Sequence, residues 1–377
     1  MPANACGIGG ANAVFPENAE NYRDGSPCYP LKEFSYFGPD EKEMSVELSK
    51  KLWSIGGGKG GIGKSVFTLG LGISLSRMGK KIILVDADLG GANLHTLMGV
   101  RFPPCTLEDF FLNRVDRLED VVIDTQVEGI GLICGADDIL GSANPTYAQK
   151  VRILKQIEDL PADLVLLDLG AGTSYNILDF FNYSQGRICI MTNQATSLQN
   201  VYGFIKSALY RRITREFAKD HDVLRMVHQT EATPSESKIE SVKELLLQLQ
   251  EGGEDRLSRF SHLVKTFELF LVVNMVKEDA DLQAARIIEK VCGSFLSFVP
   301  QVLGHISYDP AIEQAVNQMV PFPLNRENSP AAVDIKEIAR VVLTHSYNQA
   351  DQGKEVGKKA TSFLGALQSA ASEMKKM

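Results

Sequence analysis

The chain is expected to fold as an α/β protein on a mainly parallel, doubly wound sheet. Three features carry that expectation. Apolar runs of four to six residues alternate with amphipathic stretches from residue 51 onward. Asp86, Asp88, Asp168, Asn193 and Asn274 fall at or just past the carboxyl ends of those runs. A glycine-rich loop joins the first run to the first helical stretch. Apolar runs without alternation are buried on both faces, as parallel strands covered by helices are. In such sheets the ligand lies at the carboxyl ends of the strands.

The elements follow in order. Residues 1–50, rich in Gly, Pro, Asn and acidic groups and without a helical or strand period, read as an irregular leader. The first strand is 52–56, and the helix behind the loop runs from Val66 to Met78. Further strands are expected at 82–86, 130–134, 164–168, 188–192 and 269–274, with a short one near 304–308. Residues 218–266 break the alternation. There Ile239, Val242, Leu245, Leu246 and Leu249 keep helical spacing, as do Leu257, Phe260, Leu263, Val264 and Phe267 after Glu251-Gly252-Gly253-Glu254. This predicts an inserted helical hairpin within a main domain spanning 51–349.

Beyond a polar linker at 350–360, Phe363, Leu364, Leu367, Ala370, Ala371 and Met374 share one helix face, flanked by Lys358, Lys359, Lys375 and Lys376. That combination suits two roles for 361–377: weak attachment to an anionic membrane, or docking on the chain's own domain.

Hydrophobic residues at 44% and charged ones at 23% are the values of a soluble globular protein, large enough at 377 residues for one big α/β domain. No run of 18 apolar residues exists to span a bilayer, and the start lacks the basic-then-apolar order of a signal peptide, so a cytoplasmic location is expected. Six scattered cysteines without a C-x-x-C pair point to reduced thiols rather than disulfides or a metal cluster. A net charge of −8 weighs against a surface that binds nucleic acid as a whole.

The chemistry begins at Gly58-Lys59-Gly60-Gly61-Ile62-Gly63-Lys64-Ser65, which satisfies G-x-x-x-x-G-K-[ST]. Glycines let backbone N–H groups turn inward onto a polyphosphate, and a helix N-terminus behind them favours negative charge. Lys64 is placed for the β- and γ-phosphates, and the Ser65 hydroxyl for Mg²⁺. Asp86 and Asp88, one residue apart at a strand end, point in different directions. One suits the outer sphere of a magnesium ion; the other suits orienting a water. Asp168 closes an apolar run and precedes Leu169-Gly170-Ala171-Gly172, where it is placed to hold a Mg²⁺-bound water beside a loop that senses the γ-phosphate.

The loop, with its second lysine Lys59, resembles the deviant phosphate loop K-G-G-x-G-K-[ST] of the MinD/ParA superfamily of P-loop ATPases. Asp86-x-Asp88 with Gly90 and Asn93-Leu94 resembles their switch I, and Asp168 through Gly172 their switch II. The resemblance continues through Thr192–Ser197, Val272–Val276 and Gly304–Asp309, covering about residues 50–347. Thr196 through Lys206 and Asp309-Pro310 through Ala315-Val316 look like the flagellar-number branch called FlhG, FleN or YlxH.

The resemblance implies ATP/ADP and Mg²⁺ as ligands, and a homodimer that forms around ATP and dissolves on hydrolysis. Lys59 would reach the partner's phosphates, much as an arginine finger does. Asp88 would position the water, Asp86 and Asp168 would support the metal, and Asn274 would contact the adenine edge. It also implies a protein partner such as an FlhF-like GTPase, although residues 1–50 contain no D-Q-A-x-x-L-R run, the element that branch uses on it. Two competing functions share the same loop. A DNA-partition ATPase would need a basic patch, for which the Arg211-Arg212…Arg215 cluster is the candidate, read here as a solvated helix face. A nucleotide-binding scaffold would turn over little.

Overall fold

A computed structural model of the chain describes residues 50–135, 147–231, 242–249, 254–324 and 326–347. The leader, the linker and the amphipathic C-terminal segment lie outside the described residues. Eight strands form one sheet in the order β3-β4-β2-β5-β1-β6-β7-β8. The central strand β1 is Leu52–Gly56. On one side of it follow β5 (Leu164–Leu169), β2 (Ile82–Ala87) and β4 (Ile130–Ile133). On the other come β6 (Gly186–Met191), β7 (Phe270–Val276) and β8 (Gln301–Ser307). All these neighbours pair parallel. The winding therefore reverses direction at β1, which places the glycine loop at the switch point.

The sheet is buried because its strands are apolar on both faces. β1, β2, β5 and β6 show no exposed residue. One face is covered by α1 (Lys64–Ser76) and α12 (Pro330–Tyr347), the other by α5 (Tyr175–Tyr183), α6 (Ala195–Glu216) and α10 (Gln283–Phe295).

Three details differ from the sequence expectations. A short antiparallel edge strand, β3 (Val122–Asp124), pairs with β4; three residues are too few to leave a period. The strand expected near 304–308 begins earlier, at Gln301. It lies on the sheet edge, where only Leu303 and Ile306 are buried, so no continuous apolar run marked it. The insertion holds three helices: α7 (His221–Glu231) precedes the two expected ones, α8 (Val242–Leu249) and α9 (Glu254–Lys265). Val242, Leu245, Leu246, Leu249, Phe260, Leu263, Val264 and Phe267 are buried as their spacing predicts, while Ile239 lies outside the described residues. α7 buries only Val223 and Val227 among its described side chains, which is why its period was faint.

Candidate functional site

β1 ends at Gly56, and the chain turns through Gly57–Gly63 into α1. Two glycines are required there. A Cβ on Gly58 would stand 2.1 Å from the Asn200 carbonyl oxygen of α6. Gly63 caps α1 in the left-handed region at φ 88°, and a Cβ on it would stand 2.4 Å from the Asn274 amide nitrogen. The loop thus sits wedged between α6 and β7, with the N-terminus of α1 opening into it.

Beside it lies a cavity of about 630 Å³, lined at one end by Gly60, Gly61, Gly63, Lys64, Ser65 and Asp88. Lys64 is buried, and its Nζ donates to the Lys59 carbonyl at 3.3 Å. Burial holds its ammonium pKa below the usual lysine range, against the upward pull of Asp168 and Asp88. Lys59 is exposed at the loop's outer edge, and Ile62 is buried beneath it. The two lysines therefore face different surroundings, one inside the chain's own cavity and one in solvent.

Asp86 and Asp168 are direct neighbours across β2 and β5. Both are buried, and burial pushes both carboxyls up. For Asp86 the Asp168 charge adds to it, taking it to about 8; for Asp168 the rise to about 6 is held back by hydrogen bonds from Ser65 and Thr68 and by Lys64. The Thr68 hydroxyl donates to Asp168 Oδ1 at 2.9 Å. Asp86 has an organising job: its Oδ2 accepts from the Asn93 and Leu94 backbone N–H groups at 2.9 Å each, and its Oδ1 from Asp88 N at 3.2 Å. It thereby caps α2 (Leu94–Leu97), whose N-cap residue Asn93 makes no side-chain cap. The cap of this helix therefore comes from Asp86 on β2, eight residues before it, and not from the nearer Asp88. Asp88 instead lies in the cavity over the second glycine loop, where a Cβ on Gly170 would fall 2.7 Å from its Oδ1.

The donor set suits a hard dication. Ser65, Asp86 and Asp168 offer only oxygen, and two adjacent buried carboxylates with raised pKa values lack a full counter-charge. Mg²⁺, which keeps several waters and takes few protein ligands, fits that arrangement.

Asn274, at the end of β7, donates from Nδ2 to the Ile62 carbonyl at 2.8 Å and accepts at Oδ1 from Met275 N at 2.9 Å. It lines the cavity while tying the glycine loop to the sheet. Sequence reasoning missed Thr68, marked only by its place one turn after Lys64. It also missed the far end of the cavity, formed by Met275, Ile306, Tyr308, Asp309, Ile312 and Val316. Asp309-Pro310 had a readable signal there, an N-cap followed by Pro at the first helical position of α11 (Pro310–Gln318).

The basic cluster on α6 is only partly solvated: Arg215 stays exposed, Arg211 and Arg212 are half-buried, and the cluster lies over a buried carboxylate. Arg211 Nε and Arg215 Nη2 reach the buried Asp179 at 2.8 and 3.1 Å, joined by Lys150 Nζ at 2.9 Å. Burial would raise the Asp179 pKa, but the hydrogen bonds from Arg211 and Lys150 bring it below the usual carboxylate range. Arg212 donates to the Thr266 hydroxyl at 3.1 Å. Spacing showed the arginines on one helix; only packing showed the carboxylate beneath them.

Comparison with known proteins agrees with this geometry. Residues 53–322 match the CobQ/CobB/MinD/ParA nucleotide binding domain. The antiactivator FleN of Pseudomonas aeruginosa is 27% identical over 167 residues, 44% of this chain and 59% of FleN. The flagellum site-determining protein YlxH of Helicobacter pylori is 28% identical over 195 residues, 50% of this chain and 60% of YlxH. The chain thus spans about three-fifths of the length of these two relatives. The septum site-determining protein MinD of Pyrococcus horikoshii, solved with Mg-ADP, superposes with a TM-score of 0.54 at 20% identity, over 79% of this chain and 99% of that one, which speaks to the fold. Loop, paired carboxylates, sheet order and sequence match converge, and the chain belongs to the MinD/ParA family of nucleotide-binding proteins.

Proposed function

We propose that this protein is an ATP-dependent dimerising switch, an ATPase that sets the number or placement of a cell-surface structure, namely flagella. The observation that carries the reading is the division between the two loop lysines. Lys64 is buried in the cavity of its own chain, whereas Lys59 is exposed on the same loop and does not line that cavity. A second subunit placed face to face across the loop would give Lys59 a γ-phosphoryl group to stabilise in trans. The likeness to FleN and YlxH supports the flagellar assignment.

In this reading the N–H groups of Gly60–Ser65 and Lys64 hold the triphosphate. Ser65, Asp86 and Asp168 would hold Mg²⁺, which when bound would offset the negative charge of the triphosphate. Asp88 aligns the attacking water and Asn274 faces the base. The hydrogen bonds from the Asn93 and Leu94 N–H groups to Asp86 would couple the start of α2 to that carboxylate. A regulator such as an FlhF-like GTPase is the expected partner, and 361–377 is the candidate for weak attachment to the inner face of the cell membrane. No described helix is long and apolar enough to cross a membrane.

Three variants test the reading by light scattering and phosphate release. Lys64→Ala should abolish ATP binding. Lys59→Ala should keep binding but lose the ATP-dependent dimer and at least about a hundredfold in turnover. Asp88→Ala should trap the ATP dimer. Wild-type turnover in Lys59→Ala would reject the trans role. Deleting 361–377 should remove sedimentation with anionic liposomes and spare ATPase activity. ATP-dependent, salt-sensitive retention on DNA would favour the partition reading instead; the inward pairing of Arg211 and Arg215 argues against it.

A further inference from the structure

Two hydroxyls of α1 reach the buried Asp168, those of Ser65 and Thr68. Ser65 and Thr68 are three residues apart and Lys64 and Thr68 four, so the three stand on one side of the helix. Thr68 is fully buried, and its hydroxyl lies 2.9 Å from Asp168 Oδ1 and 3.0 Å from the Lys64 carbonyl oxygen. A hydroxyl has one hydrogen to give, and an ionised carboxylate and a carbonyl both only accept. Bonding to the carbonyl one turn back is the ordinary fate of a threonine inside a helix. That carbonyl, however, already takes the helical N–H four residues on. A bond to a charged acceptor is about twice as strong as a neutral one, so the hydrogen goes to Asp168.

The two hydroxyls differ in what they can touch. Ser65 lines the nucleotide cavity and is the one placed for the metal, whereas Thr68 does not line it. Once Ser65 turns to a metal ion, Thr68 is the α1 hydroxyl left on Asp168. The carboxylate needs such a hold, because the terminal torsion of an aspartate is broad and does not by itself select one orientation.

We infer that Thr68 is a positioning residue of the metal site: its hydroxyl fixes the rotation of the Asp168 carboxylate and so sets the affinity for Mg²⁺ without touching the ion. This rests on the nucleotide site proposed above and adds the group that orients one of its acids. Thr68→Val is the discriminating change, because it keeps the shape and removes the hydroxyl; Thr68→Ser keeps the hydroxyl and removes the methyl.

The test is calorimetric titration of ADP into the full chain, in EDTA and at stepped Mg²⁺ concentrations. In the wild type Mg²⁺ should tighten ADP binding. Thr68→Val should raise the Mg²⁺ concentration at the midpoint of that tightening by about 10- to 100-fold, the usual cost of losing a group that orients a metal ligand. Its affinity for ADP in EDTA should stay near that of the wild type, and Thr68→Ser should restore the midpoint. Should Thr68→Val fail to fold, Thr68→Ala carries the same expectation. An unmoved midpoint, an equal shift in Thr68→Ser, or an EDTA affinity that falls as far as the affinity in Mg²⁺ overturns the inference and leaves the nucleotide site standing. Wild-type ADP binding that Mg²⁺ does not tighten removes the metal site and this inference together, and no ADP binding at all removes the nucleotide site as well.

Discussion

Asp86 and Asp168 show how residue chemistry depends on a neighbour the chain order hides. They are 82 positions apart in sequence by their numbers and adjacent in the sheet. Their raised pKa values mean that the folded chain holds these protons more tightly than the unfolded chain does. The stability they contribute is therefore present below the ordinary carboxylate range and is lost as pH rises through about 6 and about 8. Without metal or nucleotide, the melting temperature should fall across that window. Asp86→Asn should flatten the fall, and Mg²⁺ with ADP should offset it. Calorimetric scans at stepped pH check all three; a flat wild-type profile would contradict the buried pair. At Asp179 the balance runs the other way, because three cations from α4 (Tyr147–Glu158) and α6 surround one carboxylate.

Elements constrain the site through close approach. Gly58 lets the loop rest on the first turns of α6, so Gly58→Ala must push α6 away or deform the loop. ATP affinity should drop by at least about tenfold, while the CD spectrum stays α/β. The inserted helices carry the opposite expectation. Phe260 of α9 packs on Phe217 with ring centroids 6.0 Å apart, and no large apolar side chain of the insertion is exposed among the described residues. Phe260→Ala should cost about 3–5 kcal/mol of stability in urea unfolding and leave ATP binding in the folded protein unchanged. The insertion buttresses the α6 and α10 face, away from the cavity between α1 and α11.

Across the whole molecule, both ends of the described domain are fastened at the amino ends of the strands, opposite the nucleotide cavity. Lys50 N donates to the Ser346 carbonyl at 3.2 Å, and Trp53 Nε1 donates to the Ser346 hydroxyl at 3.0 Å. Lys50 pairs with Glu268, and the His345 ring lies 4.7 Å from Phe270. Cutting the chain after residue 349 should leave the melting temperature and ATP turnover unchanged. Cutting it after 340 should lower the melting temperature by several degrees, because it removes the last turns of α12 that cover Trp53 and Phe270. Thermal melts of the two truncations check this.

The parallel sheet, the phosphate loop and the carboxylate positions were legible in the chain order, because each depends on local signals. Apolar runs of strand length, glycines at fixed offsets and acids at run ends need no knowledge of distant partners. Packing alone decided that Asp86 caps α2 and that Asn274 ties down the loop. It likewise turned the α6 arginines inward and brought Thr68 onto Asp168. Each of those outcomes hangs on contacts between residues far apart in sequence, and a hydrogen bond or an ion pair leaves no period in the chain that makes it.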